Sequence, residues 1–300
     1  MPYKLLLVLL CFNGLYSHAQ TRYVDRVFPT FTTKTLTYSI RAKDTLKLDI
    51  YQPENDSLKK RPLFVMVHGG GFISGARNDN SNVSLAQGIA KRGYVVASID
   101  YRLATDKKIF SCQSPLLGAM QTFNNAEEDI RDALIYLTRY KDSFGIDASK
   151  IILFGSSAGA EIVLNIAYNK TVFAQKADDY KKIKIAGVVS VAGAILNSES
   201  IDKSNALPTV LFHGMDDKVI PYDHGAHHNC YKTAPGYFAM DGSKKIAEKL
   251  DQLNTSYMLY SFKNRAHDIF NLPEEDSQEA FSFINKVVFN KMFHQTKIMK

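Results

Sequence analysis

The sequence predicts an α/β protein: a mostly parallel, eight-stranded sheet with helices on both faces. Two observations carry that expectation. Apolar runs of strand length, among them residues 63–67 and 151–154, alternate with longer stretches of helical period. These runs are almost unbroken by polar residues, which is how strands covered by helices on both sides read.

Taken in order, residues 35–41 and 46–51 are expected to open the chain as a hairpin, with Leu46, Leu48 and Ile50 marking one buried face. Six further strands follow at 63–67, 94–99, 151–154, 186–191, 209–212 and 256–262. Helices are expected near 83–92, 125–140, 158–168, 243–253 and 277–292. Repeating the strand, crossover helix and parallel strand brings the carboxyl ends of the strands to one edge, where ligands bind. No internal repeat or low-complexity tract interrupts the pattern.

The 300 residues are 45% apolar, and no Pro- or Ser-rich linker divides them, so a single domain is expected. Residues 1–19 read differently. Lys4 precedes an apolar stretch from Leu5 to Phe12, and Ser17-His18-Ala19 offers small residues where a signal peptidase reads. A signal peptide cleaved after Ala19 is therefore expected, followed by a secreted or periplasmic domain over residues 20–300. A membrane span needs about 20 apolar residues, so no stable membrane insertion is expected. Cys11 raises a lipid-anchor alternative, against which Leu10 stands where that signal takes a small residue.

The net charge of +7 is spread along the chain, with no dense basic tract beside aromatic residues, so nucleic acid is not an expected partner. Removing residues 1–19 leaves Cys112 and Cys230 of the three cysteines. In an oxidising compartment such a pair can form a disulfide, two free thiols being the alternative. His224, His227, His228 and Cys230 lie close together, but their spacing fits no familiar zinc pattern. A place on a substrate rim is expected for them, and no metal.

Residues 155–159 read Gly-Ser-Ser-Ala-Gly directly after the apolar run 151–154. A sharp strand-to-helix turn strains the backbone at its serine and brings strand and helix together, so it needs residues without bulk on both sides. Ser157 is thus a candidate nucleophile. The run 63–67 leads into His68-Gly69-Gly70-Gly71-Phe72, where bare backbone N–H groups can crowd a substrate carbonyl and stabilise an oxyanion. Ala158 adds a further N–H. Asp216 and Asp217 follow the strand 209–212, and one of them is expected to orient a histidine; His267 follows the strand 256–262.

With these motifs the chain resembles the esterase and lipase branch of the α/β-hydrolases, and is similar to carboxylesterases and the acetyl or feruloyl esterases. The resemblance covers almost all of residues 20–300. It implies an α/β-hydrolase fold with Ser157 as nucleophile, His267 as general base, and Gly70, Gly71 and Ala158 as oxyanion donors. It favours Asp217 over Asp216 as the acid, because Asp217 stands four residues after His213 in a His-Gly-x-x-Asp-x-x-x-Pro pattern. The blocks Asp100-Tyr101-Arg102-Leu103-Ala104 and Phe144-Gly145-Ile146-Asp147 also match. Ala266 departs where many relatives carry Gly, and Thr105-Asp106 departs where some carry Pro-Glu.

The resemblance further implies an acyl-serine intermediate, no cofactor, and a small-molecule or polysaccharide-linked ester substrate. Only about 15 residues join the sixth and seventh strands, where many relatives insert a helical cap. No large cap domain is expected, and the open site suits short-chain or polysaccharide-borne acetyl or feruloyl esters. A peptidase or amidase of the same fold would use the same residues but usually carries a large extra domain. A non-catalytic binding relative typically loses the nucleophile or base, and both are present here. His213, Asp129 and Arg131 are read as structural.

Overall fold

The computed structural model describes residues 20–300 apart from 42, 170–179, 181 and 271; the expected leader at 1–19 lies outside the described residues. Strands β1 (Phe31–Arg41) and β2 (Asp44–Pro53) form the expected antiparallel hairpin, with Leu36 opposite Leu48. There follow β3 (Arg61–Val67), α1 (Asn80–Ala90), β4 (Val95–Ile99), α2 (Leu116–Arg139), β5 (Ile146–Ser156), α3 (Ala158–Tyr168) and β6 (Ile185–Val191). After the short β7 (Ala194–Ile195) come β8 (Thr209–Gly214), β9 (His224–Ala226), β10 (Ala239–Gly242), α4 (Ser243–Gln252), β11 (Tyr257–Phe262), α5 (Glu274–Ile284) and β12 (Gln295–Met299).

The main sheet runs β1-β2-β4-β3-β5-β6-β8-β11-β12, antiparallel at β1–β2 and β2–β4 and parallel from β4 onward. The order places the site. From β3 the chain crosses back to β4, whereas from β5 it crosses forward to β6, so the loops leaving neighbouring β3 and β5 diverge. The crevice at that reversal is where an open α/β sheet receives a ligand. The glycine run leaves β3 there and Ser157 leaves β5.

Alternation along β3 divides the core. Leu63, Val65 and Val67 pack with Leu153 of β5, Leu134 of α2 and Ile162 of α3 on one face. Phe64 and Met66 pack with Ile152, Ile89 of α1 and Phe281 of α5 on the other.

The structure departs from the sequence reading in four places. Among the described residues the sheet has nine strands, not eight, because β12 adds itself parallel to β11. Its Gln-Thr-Lys-Ile-Met sequence has neither an apolar run nor a wholly buried face, and backbone pairing at a sheet edge does not require one. Helix α2 begins nine residues before the expected position 125, since packing overrides the weak helical propensity of Gly118 and Thr122. Helix α5 begins at Glu274, directly after Pro273, with Glu274, Glu275 and Asp276 favourably placed at its positive end. A second sheet, β7-β10-β9, was not legible in strands of two to four residues.

Candidate active site

The serine turn is built from what the glycines lack. Ser157 sits at φ 50° and ψ −125°, a sparsely populated conformation costing about 1–3 kcal/mol. Two backbone bonds hold it: Ser157 N–H donates to Val191 O at 2.8 Å, and Glu161 N–H donates to Ser157 O at 3.0 Å. A Cβ on Gly155 would stand 2.2 Å from Gly159 O, and one on Gly159 would stand 2.1 Å from Val67 O. Neither position admits a side chain while β3, β5 and α3 keep this spacing.

Residues separated by more than a hundred positions meet above this turn. Ser157 Oγ lies 2.8 Å from His267 Nε2, and His267 Nδ1 lies 2.6 Å from Asp217 Oδ2. A carboxylate only accepts, so Nδ1 carries the proton and Nε2 is left to accept from the serine hydroxyl. Asp217 Oδ1 accepts the N–H groups of Val219 at 2.8 Å and Ile220 at 2.9 Å. Burial alone would push the Asp217 carboxyl up, but hydrogen bonds from His213 and His267 outweigh it and hold the group well below the usual carboxylate range. Asp216 is exposed and Asp217 buried, so the structure brings the second of the two acids to the imidazole.

On the opposite side of the serine lies the glycine run. Gly70 has φ +112° and Gly71 φ +60°, conformations that turn the chain back after β3, and a Cβ on Gly70 would stand 2.2 Å from Ser74 O. Among the described residues, the N–H groups of Gly70, Gly71 and Ala158 donate to no acceptor. His68 braces the run from below: its Nδ1 lies 2.7 Å from Gly69 O, and its ring stacks on Tyr101 at 4.4 Å. Tyr101 also donates its hydroxyl to His68 O at 3.0 Å.

The remaining expected residues are distributed as follows. Cys112 and Cys230 are joined in a disulfide that ties the segment before α2 to the segment after β9. His224 pairs with Asp241 at 2.7 Å, and His227 faces the buried Glu161 at 3.3 Å. His228 is exposed but stacks on His227 at 4.4 Å, and the solvent lost at that stacked face together with the charges of His227 and His267 pulls its imidazole down to about 4. Among the described residues, no group of three or more His, Cys, Asp or Glu is placed to hold a metal ion. His213 is fully buried between Ser243 Oγ at 2.9 Å and Ile220 O at 3.2 Å, the supporting role expected of it. Asp129 holds Arg102 through both carboxylate oxygens, and Arg131 donates to Glu127 O. The amides of Val219 and Ile220 were invisible beforehand, since a backbone donor leaves no mark in residue type.

A doubly wound sheet with a serine, imidazole and carboxylate aligned at its carboxyl edge defines an α/β-hydrolase of the esterase-like class. Residues 48–205, more than half of the chain, match the BD-FAE family model, and the chain belongs to that family. Gut esterase 1 of Caenorhabditis elegans is 27% identical over 173 residues, covering 58% of this chain and 29% of that protein. The chain thus spans less than a third of that curated relative. Thermogutta terrifontis esterase 2 phosphorylated by paraoxon superposes with a TM-score of 0.65 at 19% identity, covering 86% of this chain and 95% of the other. Its butyrate-bound form superposes equally well, with a TM-score of 0.65 at 18% identity. At such identities the likeness establishes the fold. Among the described residues, no helix is long and apolar enough to cross a membrane.

Proposed function

We propose that the protein hydrolyses carboxylic esters through an acyl-serine intermediate, with Ser157 as nucleophile, His267 as general base and Asp217 as its orienting acid. The observation that carries this reading is the unbroken relay of 2.8 and 2.6 Å contacts from Ser157 through His267 to Asp217. A serine hydroxyl is a weak nucleophile, so His267 Nε2 takes its proton as Oγ attacks the ester carbonyl. Asp217 keeps the imidazole in the tautomer that leaves Nε2 free and stabilises the imidazolium that forms. The unbonded N–H groups of Gly70, Gly71 and Ala158 bind the developing oxyanion. The alcohol leaves with the proton from His267; water then attacks the acyl-serine by the same route and regenerates the hydroxyl.

The substrate in this reading is a short-chain or polysaccharide-linked ester, acetyl or feruloyl, and what supports it is the brief connection between β6 and β8, which carries no helical cap. Residues 1–19 act as a signal peptide in this reading, and the domain from residue 20 works outside the cytoplasm. The Cys112–Cys230 bridge supports that placement, because disulfides persist in oxidising compartments.

The test is an ester panel combined with fluorophosphonate labelling and peptide mapping. Label on Ser157, lost in Ser157→Ala while the fold is retained, is the expected result. Wild-type turnover by Ser157→Ala would overturn the assignment, and a clear palmitoyl preference would overturn the substrate class.

A further inference from the structure

A cavity of about 600 Å³ lies between α1 and α5, on the sheet face that these helices cover. Its body is apolar, walled by Phe64, Phe154, Phe212 and Phe281, while its rim carries Asn80, Ser84 and Ser277. Phe154 registers the opening: on β5 the preceding residues Ile151, Ile152 and Leu153 are fully buried, yet Phe154 is only half-buried. An apolar pocket of this size with a few polar groups at its mouth fits a small amphipathic organic molecule.

Three of its lining residues belong to the framework of the reaction centre. Ser156 precedes the nucleophile, and Val191 takes the Ser157 N–H on its carbonyl at 2.8 Å. Phe270 sets its ring edge-on to His267, with centroids 5.1 Å apart. At Gly69 the absence of a side chain lets the loop after β3 close on the serine turn at the cavity's edge: a Cβ there would stand 2.9 Å from Ser156 O and 3.3 Å from both Ser156 Oγ and Ser157 Cβ.

We propose that this cavity receives the acyl group of the ester and narrows the substrates named above: the group it selects is apolar and longer than acetyl, as in a hexanoyl ester, with acetyl the poorer substrate. The inference rests on the ester-hydrolase reading given above. The occupant is the acyl rather than the alcohol portion because the two have different fates. The alcohol accepts a proton from His267 and must diffuse away before water can enter, and enclosure between two helices would slow that step. The acyl chain stays bonded to Ser157 Oγ through the same interval, so enclosure does not delay turnover. Each methylene buried there raises kcat/KM by up to roughly fourfold.

The test compares kcat/KM for p-nitrophenyl hexanoate and p-nitrophenyl acetate in the wild-type full chain, Ser84→Phe and Ala280→Phe. Ser84 is exposed on α1, so a ring there fills the rim without entering the core; Ala280 is buried on α5 and fills the interior. The hexanoate-to-acetate ratio exceeds one in the wild type and falls roughly tenfold or more in the filled variants. A ratio that neither substitution changes overturns the proposal and leaves ester hydrolysis standing. A second measurement needs no turnover: hexanoate displaces anilinonaphthalene sulfonate from Ser157→Ala but not from the Ser84→Phe, Ser157→Ala double variant. Equal displacement from both overturns the cavity assignment. A wild-type chain that cleaves neither ester overturns the hydrolase reading instead, and displacement then decides the cavity alone.

Discussion

The backbone N–H of His228 donates to the carbonyl of Val219 at 2.7 Å, and Val219 in turn donates its own N–H to Asp217 at 2.8 Å. His228 lies two residues before Cys230, whose bridge to Cys112 closes a loop across a sequence separation of 118. The acid is therefore anchored through one backbone step to a covalent tie. Replacing both cysteines by serine removes at most about 5 kcal/mol of chain-entropy stabilisation and lets the 217–220 turn relax. A lower melting temperature together with a several-fold fall in kcat, and little change in KM, is expected. Melting and rate both equal to wild type would show that the tie positions nothing.

The two adjacent acids give a sharper contrast. Asp217→Asn leaves an amide beside His267 Nδ1 that can donate to it, favouring the tautomer with the proton on Nε2, and kcat falls by roughly 10⁴-fold. Asp216 is exposed and is held through its backbone N–H to Arg265 O, so Asp216→Asn keeps kcat within about twofold. The depressed Asp217 carboxyl also has a thermodynamic signature. Its stabilisation is present above the ordinary carboxylate range and is lost as the pH falls below about 4 toward the depressed value. The unfolding free energies of wild type and Asp217→Asn, compared across pH, are expected to converge in acid. Equal rates for the two single variants would show that the wrong acid had been assigned.

Much of this site was legible because its chemistry fixes residue types. Gly155 and Gly159 are visible as glycines since any Cβ would strike Gly159 O or Val67 O, and Ser157 stands between them. The long apolar strands were equally plain, for β3 and β5 lie in mid-sheet and are covered on both faces. What escaped notice was held by backbone or by edges. β12 gains its place by pairing with β11 rather than by burying a face, and the amides of Val219 and Ile220 hold Asp217 whatever their side chains. The pairing of Cys112 with Cys230 was an open alternative, because two loops far apart in sequence meet only once the sheet has brought their ends to one edge.

Packing at the serine turn predicts an uneven response to alanine. In Gly159→Ala the new Cβ would lie 2.1 Å from Val67 O, a backbone atom of a central strand that cannot yield. Loss of soluble folded protein, or destabilisation above about 4 kcal/mol, is expected. Gly71→Ala differs: at φ +60° its Cβ meets nothing nearer than Ile73 Cγ1 at 3.9 Å, so the cost is about 1–2 kcal/mol from the left-handed backbone alone. Chemical denaturation of the two variants ranks them, and similar losses would refute the close approach of α3 to β3.

The last prediction concerns His228, whose ring extends the stack begun by Phe238 and His227, with centroids 4.7 and 4.4 Å apart. Although His228 as a whole is exposed, loss of solvent around its ring where it lies against His227, then the neighbouring His227 and His267, pull its imidazole down to about 4, while Asp217 pulls the other way without prevailing. The unfolded chain protonates this histidine near 6.5, so between that value and about 4 it binds the proton that the folded state refuses. Stability therefore falls as the pH drops through that window, and below it the loss is complete. His228→Phe keeps a flat ring against His227 and removes the titration. Its unfolding free energy, measured by urea at pH values spanning about 7 to 4, is expected to decline less steeply than that of the wild type. Parallel curves would mean that neither the stacked ring of His227 nor the neighbouring His267 hinders protonation of His228, an exposed residue.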